Sequence, residues 1–222
     1  MRYVPADKYN VAWFKLAECV SRGEKERALG VYRLLSHSFD DPAFARQLEG
    51  DIFFSFNDQD AAIERYADAA RLYRASGRLL ESLALYEHLV VLVSQKHEYI
   101  TALVELCHAL QMHNKLVLYV GALCALPMNH GDLARALQAV DYLDEKEIAD
   151  ELPTVRQQFI VAWLRTDTTY EPIMHQVIKH ADYLASQEPQ ALQQFLTLLE
   201  SIHAGCHAQL REHFQAMIFV RV

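Results

Sequence analysis

Glycine and proline are scarce in this chain, at 7 and 6 of 222 residues, so it lacks the punctuation that the many tight turns of an all-β protein require. A dense basic cluster is also missing: the formal net charge is -8, with 29 acidic against 21 basic residues. Phosphate neutralisation on nucleic acid and docking on an anionic membrane both need concentrated positive charge, so both are disfavoured. No apolar run approaches a membrane span, and the stretch from Met1 to Lys8 lacks the apolar core of a signal peptide. The 4 cysteines, Cys19, Cys107, Cys124 and Cys206, are scattered, each within an apolar helical pattern. That placement points to core thiols, not to a disulfide framework or a paired zinc motif. The expected setting is reducing and cytoplasmic.

What is present is apolar bulk, 52% of the chain, arranged at helical spacing and recurring along the sequence. Leu16, Gly23, Ala28, Tyr32 and Leu35 align with Gly50, Asn57, Ala62, Tyr66 and Ala69, each pair 34 residues apart in the numbering. Ala28 and Ala62 fall where the second helix of a pair crosses the first, and a small side chain there lets two backbones approach. Gly23 and Asn57 fall where the chain turns, and both types tolerate a left-handed conformation. Tyr32 and Tyr66 are placed to fill the gap toward the next helix, with hydroxyls free to reach a polar partner.

Two further units follow if about six residues are inserted near 77 to 82. The third sets Tyr86, Leu89, Val90 and Val93 on its first helix, His97 at its turn and Ala102 at its crossing. The fourth has Val120, Leu123 and Cys124, a turn at Gly131, and Ala136 at the crossing. The third lacks a turn Gly or Asn, and the fourth has Pro127 where an apolar residue is expected. The units span 9–42, 43–76, 83–116 and 117–150; Gly77 marks a helix end. After 150 the signature fades, while apolar spacing persists in Val155 to Leu164, Ile173 to Ala185, Leu192 to Ile202 and Leu210 to Ile218. Pro153, Pro172 and Pro189 stand near the presumed helix starts. The expected organisation is a repeat region over 1–150 and a helical extension or cap over 151–222, with a separate helical bundle as the alternative for the latter.

The pattern of small, turn and aromatic residues in units one and two resembles the tetratricopeptide repeat (TPR) family. The resemblance implies an all-α fold, a right-handed α-α superhelix or solenoid of antiparallel helix pairs with C-terminal capping helices, and a concave groove lined by the first helix of each pair. Carried over, the groove positions are Asn10, Trp13, Ala17, Val20 and Ser21, then Phe44, Gln47, Asp51, Phe54 and Ser55. The third unit supplies Ala84, Glu87, Val91, Ser94 and Gln95, and the fourth Leu118, Gly121, Ala125, Met128 and Asn129. None is Lys or Arg, so the cationic clamp that some family members use on acidic tails is not expected. Trp13, Phe44, Phe54, Leu118 and Met128 are the expected anchors, with Asp51 and Val91 among the partner-binding positions. Against this stands ordinary packing, since an aromatic on a repeat helix is more often core than ligand contact.

Chemistry is thinly signalled. His203, Cys206 and His207, with His213 beyond, share one face if the stretch is a continuous helix, a geometry that offers ligands to zinc. Gly205 weakens that helix, no fourth ligand is evident, and Ala204 stands where a zincin needs its general base. Helix histidines beside a buried thiol are the simpler reading. His108 with His113 and His175 with His180 are near-pairs of a kind that 11 histidines produce by chance. Acidic pairs such as Asp40 with Asp41 and Glu145 with Glu147 suit helix caps. No phosphate loop or nucleophile elbow occurs.

The reading is a protein-interaction scaffold, an adaptor or chaperone with no cofactor or metal and no catalysis, binding a polypeptide segment in an apolar groove. A structural subunit of a complex or oligomer is the alternative. A metal-dependent enzyme using the His203 region is a lesser one.

Overall fold

The computed structural model describes residues 6–94, 96–146, 152–167 and 169–220; of residues 6–10 and 216–220 only the backbone is described. Two expected groove residues, Asn10 as a side chain and Gln95, lie outside it, as does Glu147. The described residues are helical with no strand: α1 (Ala6–Ser21), α2 (Lys25–Ser36), α3 (Pro42–Ser55), α4 (Gln59–Ala75), α5 (Leu79–Leu92), α6 (His97–Ala109), α7 (His113–Cys124), α8 (His130–Glu145), α9 (Leu152–Thr166), α10 (Met174–Gln187), α11 (Pro189–Ile202) and α12 (Ala204–Val220). A single 3₁₀ turn, Glu171–Ile173, precedes α10. The chain packs as two compact units, 1–99 and 100–222, and the division falls inside α6.

Four connections share one backbone device. Gly23, Asn57, Gly77 and Gln111 all have positive φ, between 55° and 77°. Each is followed by a residue, Glu24, Asp58, Arg78 or Met112, with φ from -87° to -84° and ψ from 68° to 74°, after which a helix begins. Their amides reach back to the carbonyls of Cys19, Phe53, Tyr73 and Cys107 at 2.9 to 3.0 Å. Those of the positive-φ residues reach Val20, Phe54, Arg74 and His108. This is the Schellman closure, which satisfies carbonyls that the helix end leaves orphaned. Gly77 therefore ends α4, and the inserted residues become the start of α5.

The structure differs from expectation at the turns placed at His97 and Gly131. α5 ends at Leu92, and His97 opens α6 instead of turning the chain. Gly131 sits in the first turn of α8, because Asn129 caps that helix in a reciprocal box with Asp132. The turn itself is the segment around Pro127.

In the first unit each helix packs on its neighbour in sequence, from α1 to α5. Leu16, Ala28, Leu29, Tyr32, Leu35 and Ile52 form a buried cluster. α4 buries Ala62, Ala67, Ala69 and Ala70 along with Tyr66 and Tyr73, so small residues set a close approach and two long aromatics reach past it. The buried Ser82 hydroxyl donates to the Ala70 carbonyl at 2.9 Å, tying α5 to α4. Asp41 starts α3 by accepting from the amides of Ala43 and Phe44, with Pro42 at the first helical position.

In the second unit α9 packs on both α7 and α8, and α11 packs on both α9 and α10. Ala102 and Ala136, expected at the other two crossings, are buried like Ala28 and Ala62. Beyond 150 the apolar stripes give helices as expected, with Pro153 in the first turn of α9 and Pro189 opening α11. Among the described residues no helix is long and apolar enough to cross a membrane.

Candidate functional site

The first unit gathers five of the seven expected partner-binding residues: Trp13 on α1, Phe44, Asp51 and Phe54 on α3, and Val91 on α5. Phe44, Gln47, Asp51 and Phe54 are spaced three and four apart, so they run as one stripe along α3. Phe44 and Phe54 are each 39% exposed, and Val91 is 80% exposed. Trp13 is half-buried, packed against the core cluster of α1 and α2.

Aromatic contacts link these positions to residues that the repeat register did not single out. Phe39, in the connection before α3, lies 5.9 Å from Trp13 and 5.4 Å from Phe44 between ring centroids. At the other end of the stripe, His88 of α5 meets Phe54 edge-on at 5.9 Å and Tyr66 at 5.2 Å. His88 and Val91 lie one turn apart, so α5 continues the surface.

Two tyrosines of α4 fix the polar members of the stripe. The Tyr66 hydroxyl donates to Asp51 Oδ1 at 2.8 Å, and the Tyr73 hydroxyl donates to Gln47 Oε1 at 2.9 Å. Burial, and then the bond to Asp51, raises the Tyr66 pKa, so the phenol stays a protonated donor. Gly50 makes room for this arrangement: a Cβ there would lie 2.7 Å from two carbons of the Tyr66 ring. Tyr32 serves the same end between α2 and α3, donating to the Ala45 carbonyl at 2.8 Å.

The remaining two expected residues fall in the second unit, and they differ. Leu118 on α7 is 61% exposed. Met128 is only 8% exposed and is no free anchor. Together with Cys124, Pro127, Gln158 and Arg165 it walls a cleft of about 420 Å³. The bend at Pro127 turns Met128 inward, which a helical register through that position does not anticipate.

A second cleft of about 360 Å³ lies among α9, α10 and α11, with Gln157, His180, Tyr183 and Glu188 on its walls. His180 is buried against Phe195 with ring centroids 4.7 Å apart, and its Nδ1 has no hydrogen-bond partner. Burial, then the Arg156 charge, pushes its pKa down to about 4, so the imidazole is neutral at ordinary pH.

Near it, a buried polar cluster joins α8, α9 and α10. Arg156 Nε donates to Gln176 Oε1 at 2.9 Å and its guanidinium pairs with Asp144. Gln176 Nε2 donates to Asp141 and Asp144 at 2.7 Å each. Lys179 and His175 close the outer edge on Asp144 and Asp141.

The possible zinc constellation is not one helical face. His203 ends α11, and its Nδ1 accepts from the Cys206 amide at 3.1 Å, capping α12, while its ring lies against Tyr170 at 4.9 Å. No cluster of three metal-ligating residues occurs among the described residues. All four thiols are free; burial raises Cys124 to about 12 and Cys206 to about 11, values at which neither supplies a thiolate nucleophile. His108 and His113 both address Tyr142, the first edge-on at 4.5 Å and the second through a 2.9 Å hydrogen bond. No protein-family model matches the chain, and no curated protein matches it.

Proposed function

We propose that this chain is a tetratricopeptide-type helical-repeat adaptor or chaperone, working in the cytoplasm, that holds a segment of another polypeptide on the α3–α5 face of its first unit. The observation that carries the reading is the pair of exposed aromatic side chains on α3, Phe44 and Phe54, packed against Phe39 and His88, with Val91 of α5 exposed as well. Exposed large apolar side chains on a firmly packed element mark a place where burial by a partner is favourable. Burying one such side chain contributes about 1.5 to 3 kcal/mol, so two or three support micromolar association after its entropic cost. Four free cysteines suit a reducing compartment. The four shared helix-turn closures and the buried crossing alanines support the repeat assignment.

A second reading, a permanent subunit of an oligomer or complex, is favoured by Val11 and Phe14, one turn apart on α1 and 53% and 76% exposed. Pull-down from native extract, with mass spectrometry, separates the two when run on wild type, Phe54→Ala and Phe14→Ala, alongside sizing chromatography. The adaptor elutes as a monomer or weak dimer and loses partners with Phe54→Ala. A stable oligomer dispersed by Phe14→Ala assigns the chain to the subunit class, and partner recovery unchanged by Phe54→Ala removes the adaptor reading.

A further inference from the structure

The α3–α5 face is apolar but not charge-neutral, and the placement of its charge is specific. Asp51 is exposed in the middle of the stripe, one turn from Phe54 and two from Phe44. One carboxylate oxygen is held by the buried Tyr66 hydroxyl at 2.8 Å. No Lys, Arg or His of the described residues forms an ion pair with Asp51, whereas the nearby acids of the same unit are engaged: Glu49 by Arg46 and Arg65, Asp68 by Arg71, Asp41 by Arg78, Asp58 by Lys25. The described groove positions of α3 and α5 include two acids, Asp51 and Glu87, and no cation.

We propose that this face selects a polypeptide segment in which a Lys or Arg stands beside an apolar anchor, the cation pairing with Asp51 while the anchor covers Phe54. This rests on the adaptor reading above and adds the chemistry of its partner. A carboxylate whose orientation is already fixed by Tyr66 loses little freedom when a cation arrives, which is what makes a pair on a surface worth forming. The long alkyl stem of Lys or Arg lies along an aromatic ring while its head reaches the carboxylate. An acidic segment meets a like charge in the same place and is rejected.

The test uses the full chain and phage-displayed random 12-residue peptides, selected on wild type and on Asp51→Asn. The Asn amide oxygen still accepts from Tyr66, so the variant keeps the local bond and loses only the charge; matching melting curves check this. Peptides enriched on wild type in a Phe54-dependent manner are expected to carry Lys or Arg next to Leu, Ile, Phe or Trp, above the input library. For one such synthetic peptide, Asp51→Asn and the peptide's own Lys→Gln each weaken binding about 3- to 10-fold, and the two together weaken it no further. Phe54-dependent peptides with no excess of Lys or Arg, or with an excess of Asp and Glu, overturn the cation inference and leave the adaptor reading standing. So does an additive double change. Absence of any Phe54-dependent peptide overturns both.

Discussion

Gly50 shows how one missing methyl group fixes the geometry of the candidate site. The Tyr66 ring occupies the space a Cβ would need, and that ring cannot retreat freely because its hydroxyl is bonded to Asp51 and its edge meets His88. Gly50→Ala gains about 1 kcal/mol of helix propensity and incurs about 1 to 3 kcal/mol of overpacking. The expected net effect is a loss of about 1 kcal/mol, seen as a Tm lowered by about 2 to 4 °C. A raised Tm shows that the ring moves aside. His180 gives a second residue-level expectation, in pH. Its folded pKa of about 4 lies below the ordinary 6.5, so between those values the unfolded chain binds more protons than the folded one. Its contribution is full above pH 6.5, and it is lost as pH falls through that window to about 4, by on the order of 3 kcal/mol. His180→Gln is expected to flatten this part of the urea-stability profile between pH 7 and pH 4; an unchanged slope places the pH dependence elsewhere.

At the scale of the element, the four Schellman closures show what a sequence does and does not announce. Gly23, Asn57 and Gly77 declare a left-handed residue by type, and each occupies one. Gln111 occupies the same position after α6 with φ 55° and gives no such signal, because a glutamine at a helix end resembles any other polar residue. Gln111→Gly relieves that conformation and is expected to stabilise the protein by about 0.5 to 1 kcal/mol, while Gly77→Ala costs about as much, read from urea midpoints at constant slope. Equal midpoints for all three proteins would mean that the closure tolerates side chains freely. The same contrast holds across the fold. Helices and the buried alanines were legible because apolar spacing and small size are local properties. His97, expected at a turn, opens α6 instead, since it carries no boundary signal. In the candidate site, Phe44, Asp51 and Phe54 follow from the repeat resemblance alone, and the structure sets them along one helix, α3. Tyr66 was legible as an aromatic between helices with a hydroxyl for a polar partner, whereas Phe39 and His88 were not, because their role arises from contacts between elements. Met128 was misplaced because Pro127 breaks the register that carried it.

For the molecule as a whole, the two units carry different kinds of core. The first combines a cluster of leucines and Ile52 with alanines and with tyrosines whose hydroxyls bond across helices. The second encloses the charged cluster of Arg156, Asp144, Gln176 and Asp141 that joins α8, α9 and α10. Arg156 is buried, and Asp144 and Gln176 each accept or donate toward it and each other, so removing the guanidinium strands a buried carboxylate. Lys179, at 3.3 Å from Asp144 and half exposed, compensates only in part. Arg156→Ala is expected to cost about 3 to 5 kcal/mol, whereas Arg156→Met combined with Asp144→Leu and Gln176→Met, which removes the bonded polar groups together and keeps the volume, recovers most of that loss. Hydrogen exchange resolves where the loss falls. Amides of α8, α9 and α10 should lose protection with Arg156→Ala, while those of α3 and α4, whose core the cluster does not enter, keep the protection they have in the wild type. Equal loss in α3 and α4 would mean that the two compact units unfold as one.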